Sequence, residues 1–241
     1  MSDPASTPHP EGPHALSRRW VVIPAYNEGE AIGGVVADLL GRGYSVAVVD
    51  DGSKEPLLDA LRGTHAHVLR HVINLGQGAA LQTGIRYALE QGAELIVTFD
   101  ADGQHQSADL KALLAPIVEG RADVALGSRF SKGGRAVNIS RSKRAVLALA
   151  VVFTRWSTGL AVTDTHNGLR ALSRKAAERL HITQNGMAHA SQVLQQIKSQ
   201  QLSFVEVPVT VVYTEYSVRK GQRLSNAFNI LWDSFAELFY R

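Results

Sequence analysis

The sequence predicts an α/β fold built on a mostly parallel, doubly wound sheet, and three observations support this class. Short apolar runs typical of buried strands alternate with stretches in which apolar residues recur at helical spacing. Several of the apolar runs end in a polar turn that contains glycine. The chain has 241 residues, 45% of them apolar and 20% charged, which suits one domain with a substantial core. This alternation indicates βαβ units that form one central sheet flanked by helices.

The elements are predicted in order along the chain. In the first half, the predicted strands are 20–23 (ended by Pro24), 44–49, 67–72, 95–99 and 123–126. The helices between them are predicted at 32–40, 78–90 and 110–118, with a further short helix before the third strand. In the second half, we expect a helix at 140–156, a strand at 168–172, a helix at 187–198 and edge strands at 204–213 broken at Pro208.

The two ends of the chain differ from this core, which we place at residues 18–223. Residues 1–17 contain four prolines and no apolar segment, so we expect a disordered lead-in and not a signal peptide. Residues 224–241 predict an amphipathic helix that packs on the domain or on a second subunit, as in a homodimer, with membrane contact as the alternative. The longest apolar run, 145–153, is shorter than the roughly 20 residues that span a bilayer, so we expect a cytoplasmic protein.

Composition limits the chemistry that the chain can carry. There is no cysteine, so disulfides and thiolate metal sites are excluded, and oxygen or imidazole ligands would have to hold any metal. Residues 124–163 contain no acidic residue but seven cations, namely Arg129, Lys132, Arg135, Arg141, Lys143, Arg144 and Arg155. This stretch is either a solvated face or a docking surface for phosphates or anionic lipid headgroups. We expect no nucleic-acid partner.

Four polar turns follow the first four predicted strands, at 24–28, 50–53, 74–79 and 100–105. Because ligands of open α/β sheets bind at the carboxyl ends of the strands, these turns predict one composite site. In the last turn, Asp100 and Asp102 suit a divalent cation, Mg²⁺ or Mn²⁺, that bridges a diphosphate. The alternative is that Asp100 caps the following helix or closes a turn.

Six motifs in a consistent order resemble the family 2 glycosyltransferases: VVIPAYNE at 21–28, VVDDGS at 48–53, NLGQGA at 74–79, TFDADGQH at 98–105, GSRF at 127–130 and DTHNGLR at 164–170. Within that family the chain is most similar to the dolichol-phosphate mannosyltransferase and polyprenyl-phosphate glycosyltransferase type, over about residues 20–220. The resemblance implies a nucleotide-diphospho-sugar transferase fold of the GT-A type, a UDP- or GDP-sugar donor, a divalent metal and inverting transfer.

The resemblance also implies roles for individual residues. The donor-binding set would be Pro24, Ala25, Tyr26, Glu28, Asp51, Gly78, Ala79 and the Asp100-Ala101-Asp102 segment. Independently of the resemblance, we expect Lys220 to lie in a lid that closes over the donor diphosphate. The metal ligands would be Asp100, Asp102 and Gln104. The acceptor-binding set would be Arg129, Arg141, Asn167 and Arg170, and the residues closest to catalysis would be Asp102, Arg129, Arg141 and Asp164.

The acceptor side departs from the family pattern. Asn167 stands where the pattern has Ser, Leu169 where it has Phe or Tyr, and His189 and Ser191 where many relatives have acidic residues. A polyprenyl phosphate acceptor, which is already an anion, fits the missing carboxylate. A hydroxyl acceptor on a polysaccharide or lipid-linked glycan would need a base, for which Asp164 and His166 are the candidates.

Two further interpretations concern the class and the location of the protein. A dinucleotide-binding oxidoreductase is disfavoured, because the glycine after Gly76 and Gly78 is Gly84, outside the dinucleotide spacing. A lipid acceptor implies a peripheral position at the inner face of the cell membrane, reached directly or through a membrane partner protein.

Overall fold

The architecture is known from a computed structural model, which describes residues 18–29, 31–186 and 188–213. Its strands are β1 Arg19–Ala25, β2 Ser45–Asp50, β3 His67–Arg70, β4 Leu95–Thr98, β5 Val124–Ser128, β6 Arg135–Val137, β7 Arg170–Ser173, β8 Phe204–Pro208 and β9 Thr210–Val212. Its helices are α1 Ala31–Gly41, α2 Leu57–Ala60, α3 Gln77–Glu90, α4 Leu110–Val118, α5 Arg141–Thr158, α6 Arg174–Arg179 and α7 His189–Ser199. The lead-in at 1–17, Lys220 and the helix predicted at 224–241 lie outside the described residues.

The central sheet has seven strands in the order β3-β2-β1-β4-β7-β5-β8. All its neighbouring pairs are parallel except those of β7, which runs antiparallel to both β4 and β5. The predicted α/β class and the mostly parallel sheet are therefore confirmed. A second, two-stranded sheet pairs β6 with β9 and lies beside the carboxyl end of β4, where Val212 N donates to Gln104 O at 2.9 Å.

Pro24 lies inside β1, so the prediction that it ends the strand is wrong. It pairs in register with Val49 of β2. Two residues earlier, the carbonyl of Val22 accepts from Phe99 N on the β4 side, so the proline nitrogen faces that side as well. Because β4 ends at Thr98, the missing N–H of Pro24 leaves no ladder bond unmade.

Alternate residues of the strands supply two apolar layers, one on each face of the sheet. Val21 and Ile23 face a core that includes α1 and α4, whereas Trp20 and Val22 face α3, α6 and α7. This packing fixes the sheet between two helical layers and brings the carboxyl ends of its parallel strands to one edge. None of the helices within the described ranges is long and apolar enough to cross a membrane.

Candidate active site

The turns after β1 and β2 lie at the carboxyl ends of the parallel strands and are joined to each other by hydrogen bonds. Asn27 N donates to Ser53 Oγ at 2.9 Å, and Lys54 N donates to Asn27 Oδ1 at 3.0 Å. Ala25 is the last residue of the buried strand β1, and Tyr26 follows it and is 40% exposed. The predicted donor residues Pro24, Ala25, Tyr26 and Glu28 therefore lie at the carboxyl end of β1, beside the turn after β2.

Asp51 is buried, and its carboxylate holds the loop between β3 and α3. Its oxygens accept from Leu75 N at 2.9 Å and Gly76 N at 2.7 Å, and Oδ1 lies 2.7 Å from His71 Nδ1. The other ring nitrogen of His71 lies 2.9 Å from Thr83 Oγ1 on α3. The contact between Asp51 and a base or ribose stays a prediction, and the structure adds that this carboxylate holds the loop that precedes α3.

The first turn of α3 contacts the backbone of residues 184–185, which precede α7. Gly78 N donates to Asn185 O at 2.8 Å, and a side chain at Gly78 would overlap the carbonyl of Gln184. Glycine is therefore required here for a close backbone approach. The direct nucleotide contact predicted for Gly78 and Ala79 is not tested by this arrangement.

Asp100 stands at the end of β4 and is held on both oxygens. Gln77 Nε2 donates to Oδ1 at 3.0 Å, and His105 Nε2 lies 3.0 Å from Oδ2. Gly168 packs so closely on this carboxylate that a methyl group there would overlap it. Burial by itself raises the pKa of Asp100, but the hydrogen bond to His105 and neighbouring positive charge outweigh it, so the pKa is lowered.

The carboxylate of Asp102 accepts two hydrogen bonds from Gln104, the third residue of the predicted metal-binding set. Gln104 donates to Asp102 through its backbone N at 3.0 Å and through Nε2 at 2.6 Å. Burial raises the pKa of Asp102, and the negative charges of Asp100 and Glu28 raise it further. The predicted metal residues are thus brought together, and their carboxylates repel each other in the absence of a cation.

This donor set fits a hard divalent cation whose coordination is completed by the substrate. Mg²⁺ and Mn²⁺ take oxygen ligands, and Mg²⁺ is commonly held by one or two carboxylates plus phosphate oxygens and water. Within the described ranges, no group of three His, Cys, Asp or Glu side chains is arranged to hold a metal. The assignment of Asp100, Asp102 and Gln104 as metal ligands stays a prediction, and a diphosphate would have to supply further oxygen ligands.

Arg129 and Asp164 form a buried ion pair at the end of β5. Arg129 Nε donates to Asp164 Oδ2 at 2.6 Å, and Nη2 donates to Oδ1 at 2.9 Å. Nη2 also donates to His166 O at 2.9 Å, and Nη1 donates to Tyr213 Oη. Desolvation opposes the charge of Arg129, but Asp164 outweighs it and raises the pKa. The predicted contact of Arg129 with a phosphate is untested, and most of its donors are engaged within the protein.

Two buried histidines lie near this pair. Burial lowers the pKa of His166 to about 4, with Asp164 opposing the shift, and its Nε2 is buried without a hydrogen-bond partner. Burial and the charge of Arg170 lower the pKa of His189 to about 4. Both rings are neutral at pH 7.

Two residues of the predicted acceptor set are enclosed by the fold. Asn167 is 5% exposed, and its Oδ1 accepts from Leu169 N at 3.0 Å. Arg170 is 4% exposed and close enough to Asp100 and Asp164 for their charges to raise its pKa, although burial lowers it overall. Both residues are therefore buried, Arg170 near Asp100, and their predicted contact with the acceptor remains untested.

The first turn of α5 contains three cations, Arg141, Lys143 and Arg144. Ser140 caps the helix, its Oγ accepting from Lys143 N at 3.2 Å. Arg141 is exposed, and its predicted contact with the acceptor is untested. Lys143 places its ammonium group 4.4 Å from the centroid of the Tyr213 ring. Lys143, Tyr213 and Gln77 were missing from the predicted site, because their contacts join residues far apart in the sequence.

The mostly parallel sheet with helices on both faces has the fold of the nucleotide-sugar transferases of the GT-A type, and this is the class of the protein. More particularly, the chain belongs to glycosyl transferase family 2, whose model matches residues 20–181. It is therefore a glycosyltransferase.

Relatives and solved structures agree with this assignment. The chain is 31% identical to the UDP-N-acetylglucosamine–dolichyl-phosphate N-acetylglucosaminyltransferase of Methanococcus voltae, over 88% of this chain and 93% of that protein. It is 31% identical to the polyprenol monophosphomannose synthase of Mycolicibacterium smegmatis, over 84% of this chain and 80% of that protein. Its fold is similar to that of glucosyl-3-phosphoglycerate synthase from Mycobacterium tuberculosis, solved with Mn²⁺ and UDP-glucose, with a TM-score of 0.69 at 17% identity, covering 99% of this chain and 84% of that one.

Proposed function

We propose that the protein transfers a sugar, with inversion, from a UDP- or GDP-sugar to a polyprenyl phosphate. Asp100, Asp102 and Gln104 would hold a Mg²⁺ or Mn²⁺ ion together with the donor diphosphate. The curated relatives reported above carry names that include dolichyl phosphate and polyprenol monophosphomannose, which supports a lipid phosphate as the acceptor.

One observation favours a phosphate acceptor over a hydroxyl acceptor: both carboxylate oxygens of Asp164 accept hydrogen bonds from Arg129. A hydroxyl acceptor must lose a proton to a base, and Asp164 was one of two candidates for that role. An oxygen held in a bidentate ion pair is a poor proton acceptor, because the guanidinium stabilises the ionised form. The other candidate, His166, has a pKa of about 4 and a buried Nε2, so it is a weak base turned away from solvent. A phosphate acceptor needs neither.

In the proposed reaction, an oxygen of the acceptor phosphate attacks the anomeric carbon from the face opposite the nucleotide. The new bond forms between that oxygen and the carbon, while the bond from the carbon to the donor diphosphate breaks and its electron pair leaves with the diphosphate. The cation, when bound, would offset the negative charge that develops on this leaving group. The residues of the β1, β2 and β3 turns position the nucleotide, and Arg141 orients the incoming phosphate through charge-assisted hydrogen bonds.

The outer surface of α5 supports action at a membrane. Leu149, Val152 and Trp156 recur at helical spacing and are 61%, 65% and 69% exposed. An apolar stripe beside a basic helix start is typical of segments that lie at the bilayer interface. We therefore place the enzyme at the inner face of the cell membrane. The proposed reaction requires neither a membrane partner protein nor a homodimer, and both are compatible with it.

Acceptor choice tests the proposal directly. The purified protein is incubated with Mn²⁺ and labelled UDP- and GDP-sugars, offered either undecaprenyl phosphate or undecaprenol, and the labelled lipid is quantified. We expect product with the phosphate and none with the alcohol. Transfer to the alcohol at a similar rate would favour the hydroxyl-acceptor alternative. If no nucleotide diphosphate is released with either lipid, a lipid acceptor is contradicted altogether.

A further inference from the structure

The carboxylate of Asp100 has neighbours on three sides and is partly open on the rest. Gln77 Nε2 donates to Oδ1 at 3.0 Å, His105 Nε2 lies 3.0 Å from Oδ2, and Gly168 packs against the carboxylate itself. The side chain of Asp100 is nevertheless 27% exposed. Because an ionised carboxylate has about four acceptor positions, each oxygen can accept a further partner. The neighbours therefore orient the carboxylate without occupying it fully.

Gln77 reaches this carboxylate from the loop that Asp51 holds. Gly76 N donates to Asp51 Oδ2 at 2.7 Å, and Gly78 N donates to Asn185 O at 2.8 Å, so the backbone is anchored on both sides of Gln77. Gly76 has a φ of +98°, which favours glycine, and a side chain there would overlap the carbonyl of Asn185. These contacts fix the first residue of α3 where its amide meets the end of β4.

The amide of Gln77 orients Asp100 without offsetting its charge. A primary amide is neutral, so this contact leaves the negative charge of Asp100 available to a cation. Asp164 shows the opposite arrangement, because both its oxygens accept from the guanidinium of Arg129. The charge of Asp164 is therefore already matched within the protein. Of these two carboxylates, the one held by a neutral donor and partly exposed is the one suited to a metal.

We propose that Gln77 is a positioning residue of the metal site, which holds the Asp100 carboxylate in the orientation that a divalent cation requires. The inference rests on the metal assignment within the proposed function, and it adds a residue from outside the predicted ligand set. A hydrogen bond from the anchored start of α3 restricts rotation of the carboxylate, so the ligand is already oriented before the cation binds. Gln77 acts through Asp100, and its role requires no contact with the sugar.

Gln77→Met tests this role, with Gln91→Met as the control. Methionine is unbranched like glutamine and is compatible with a helix, but it donates no hydrogen bond. Gln91 follows the last residue of α3 and is exposed, so its variant makes the same replacement at the other end of the helix. Mn²⁺ is titrated in the presence of UDP or GDP and followed by electron paramagnetic resonance. We expect the Kd for Mn²⁺ to rise about 10- to 100-fold in Gln77→Met and to stay at the wild-type value in Gln91→Met.

The dependence of activity on Mn²⁺ is a second measurement, which a purely structural role would not move in the same way. With undecaprenyl phosphate as the acceptor, the Mn²⁺ concentration for half-maximal transfer should rise in Gln77→Met by the same factor as the Kd. At saturating Mn²⁺, kcat should return close to the wild-type value. The melting temperatures of the two variants, measured without metal, should agree.

The outcomes separate the metal assignment from the role of Gln77. If Mn²⁺ binds to the wild-type protein with nucleotide no more tightly than to the nucleotide alone, the metal assignment fails and this role fails with it. If the wild-type protein binds Mn²⁺ and Gln77→Met matches Gln91→Met, only the role of Gln77 is overturned. A loss of kcat at saturating Mn²⁺ with unchanged Mn²⁺ affinity would also overturn it, because Gln77 would then act on a step other than metal binding.

Discussion

Asp164→Ala should destabilise the protein strongly, because it leaves the guanidinium of Arg129 buried and without its counter-charge. The two side chains are 5% and 1% exposed, and the Nε–Oδ2 distance is 2.6 Å. Removing one partner of such a pair typically costs about 3–5 kcal/mol, mostly from the uncompensated charge that remains. For a protein of this size, that loss corresponds to a decrease in Tm of roughly 6–20 °C.

A surface pair on α3 provides the matched control. Arg86 and Glu90 form an i,i+4 ion pair at 3.1 Å, with side chains that are 79% and 58% exposed. Because solvent screens this pair, Glu90→Ala should cost at most about 0.5 kcal/mol. The free energy of unfolding is obtained for both variants from urea titrations, together with their m-values.

A double variant separates burial of charge from loss of packing. Arg129→Met with Asp164→Leu removes both charges and keeps apolar volume, so it should recover most of the stability lost in Asp164→Ala. If Asp164→Ala costs no more than Glu90→Ala, the pair is not desolvated and the reasoning is refuted. Any folded Asp164→Ala protein that still glycosylates a lipid phosphate would also show that Asp164 is not a general base.

Three other perturbations test the site. Gly168→Ala should weaken Mn²⁺ binding about 10- to 100-fold in a titration with nucleotide, because its methyl group displaces the Asp100 carboxylate; Gly34→Ala on α1, which meets no atom within 4 Å, should leave it unchanged, and equal affinities would contradict the packing. The wild-type protein should lose stability as the pH falls from about 6.5 to about 4, since the unfolded chain binds protons that buried His166 and His189, each with a pKa of about 4, do not; in urea titrations at pH 7 and 5, His189→Gln should remove about half of this dependence, and an unchanged slope would refute the shift at His189. Arg141→Ala should raise the KM for undecaprenyl phosphate about 10-fold or more while the nucleotide Kd stays constant, and an equal loss of both would contradict its assignment to the acceptor.

The first half of the fold was predictable because each of its elements is a local pattern. Apolar runs and helical spacing identified β1 to β5 and the helices between them to within a few residues. The second half depends on pairing between distant segments. A four-residue strand such as β7 carries no signal that it will insert between β4 and β5 in the opposite direction. The six-residue helix α6 and the three-residue strand β6 were not predicted, because elements this short show no recognisable periodicity in the sequence.

The site was predictable where its residues follow a strand end and unpredictable where it depends on partners. Asp100, Asp102 and Gln104 are close in sequence, and the structure brings them together. That Arg129 and Asp164 form a buried pair could not be read from the sequence, because charged residues in a polar turn are usually solvated. The contact of Lys143 with Tyr213 likewise depends on the pairing of β9 with β6, which are far apart in the sequence.

Binding of Mn²⁺ in the presence of nucleotide tests the central claim most directly. Asp102→Asn keeps the size of the side chain and removes the charge, so the fold should be retained. Titration of Mn²⁺ with UDP or GDP, followed by electron paramagnetic resonance, should show a well-defined site in the wild-type protein. In Asp102→Asn, the affinity for Mn²⁺ should fall by about 100-fold or more, which exceeds the loss typical of a residue that only supports a metal ligand through a hydrogen bond. Equal Mn²⁺ affinity in a folded Asp102→Asn protein would contradict the account.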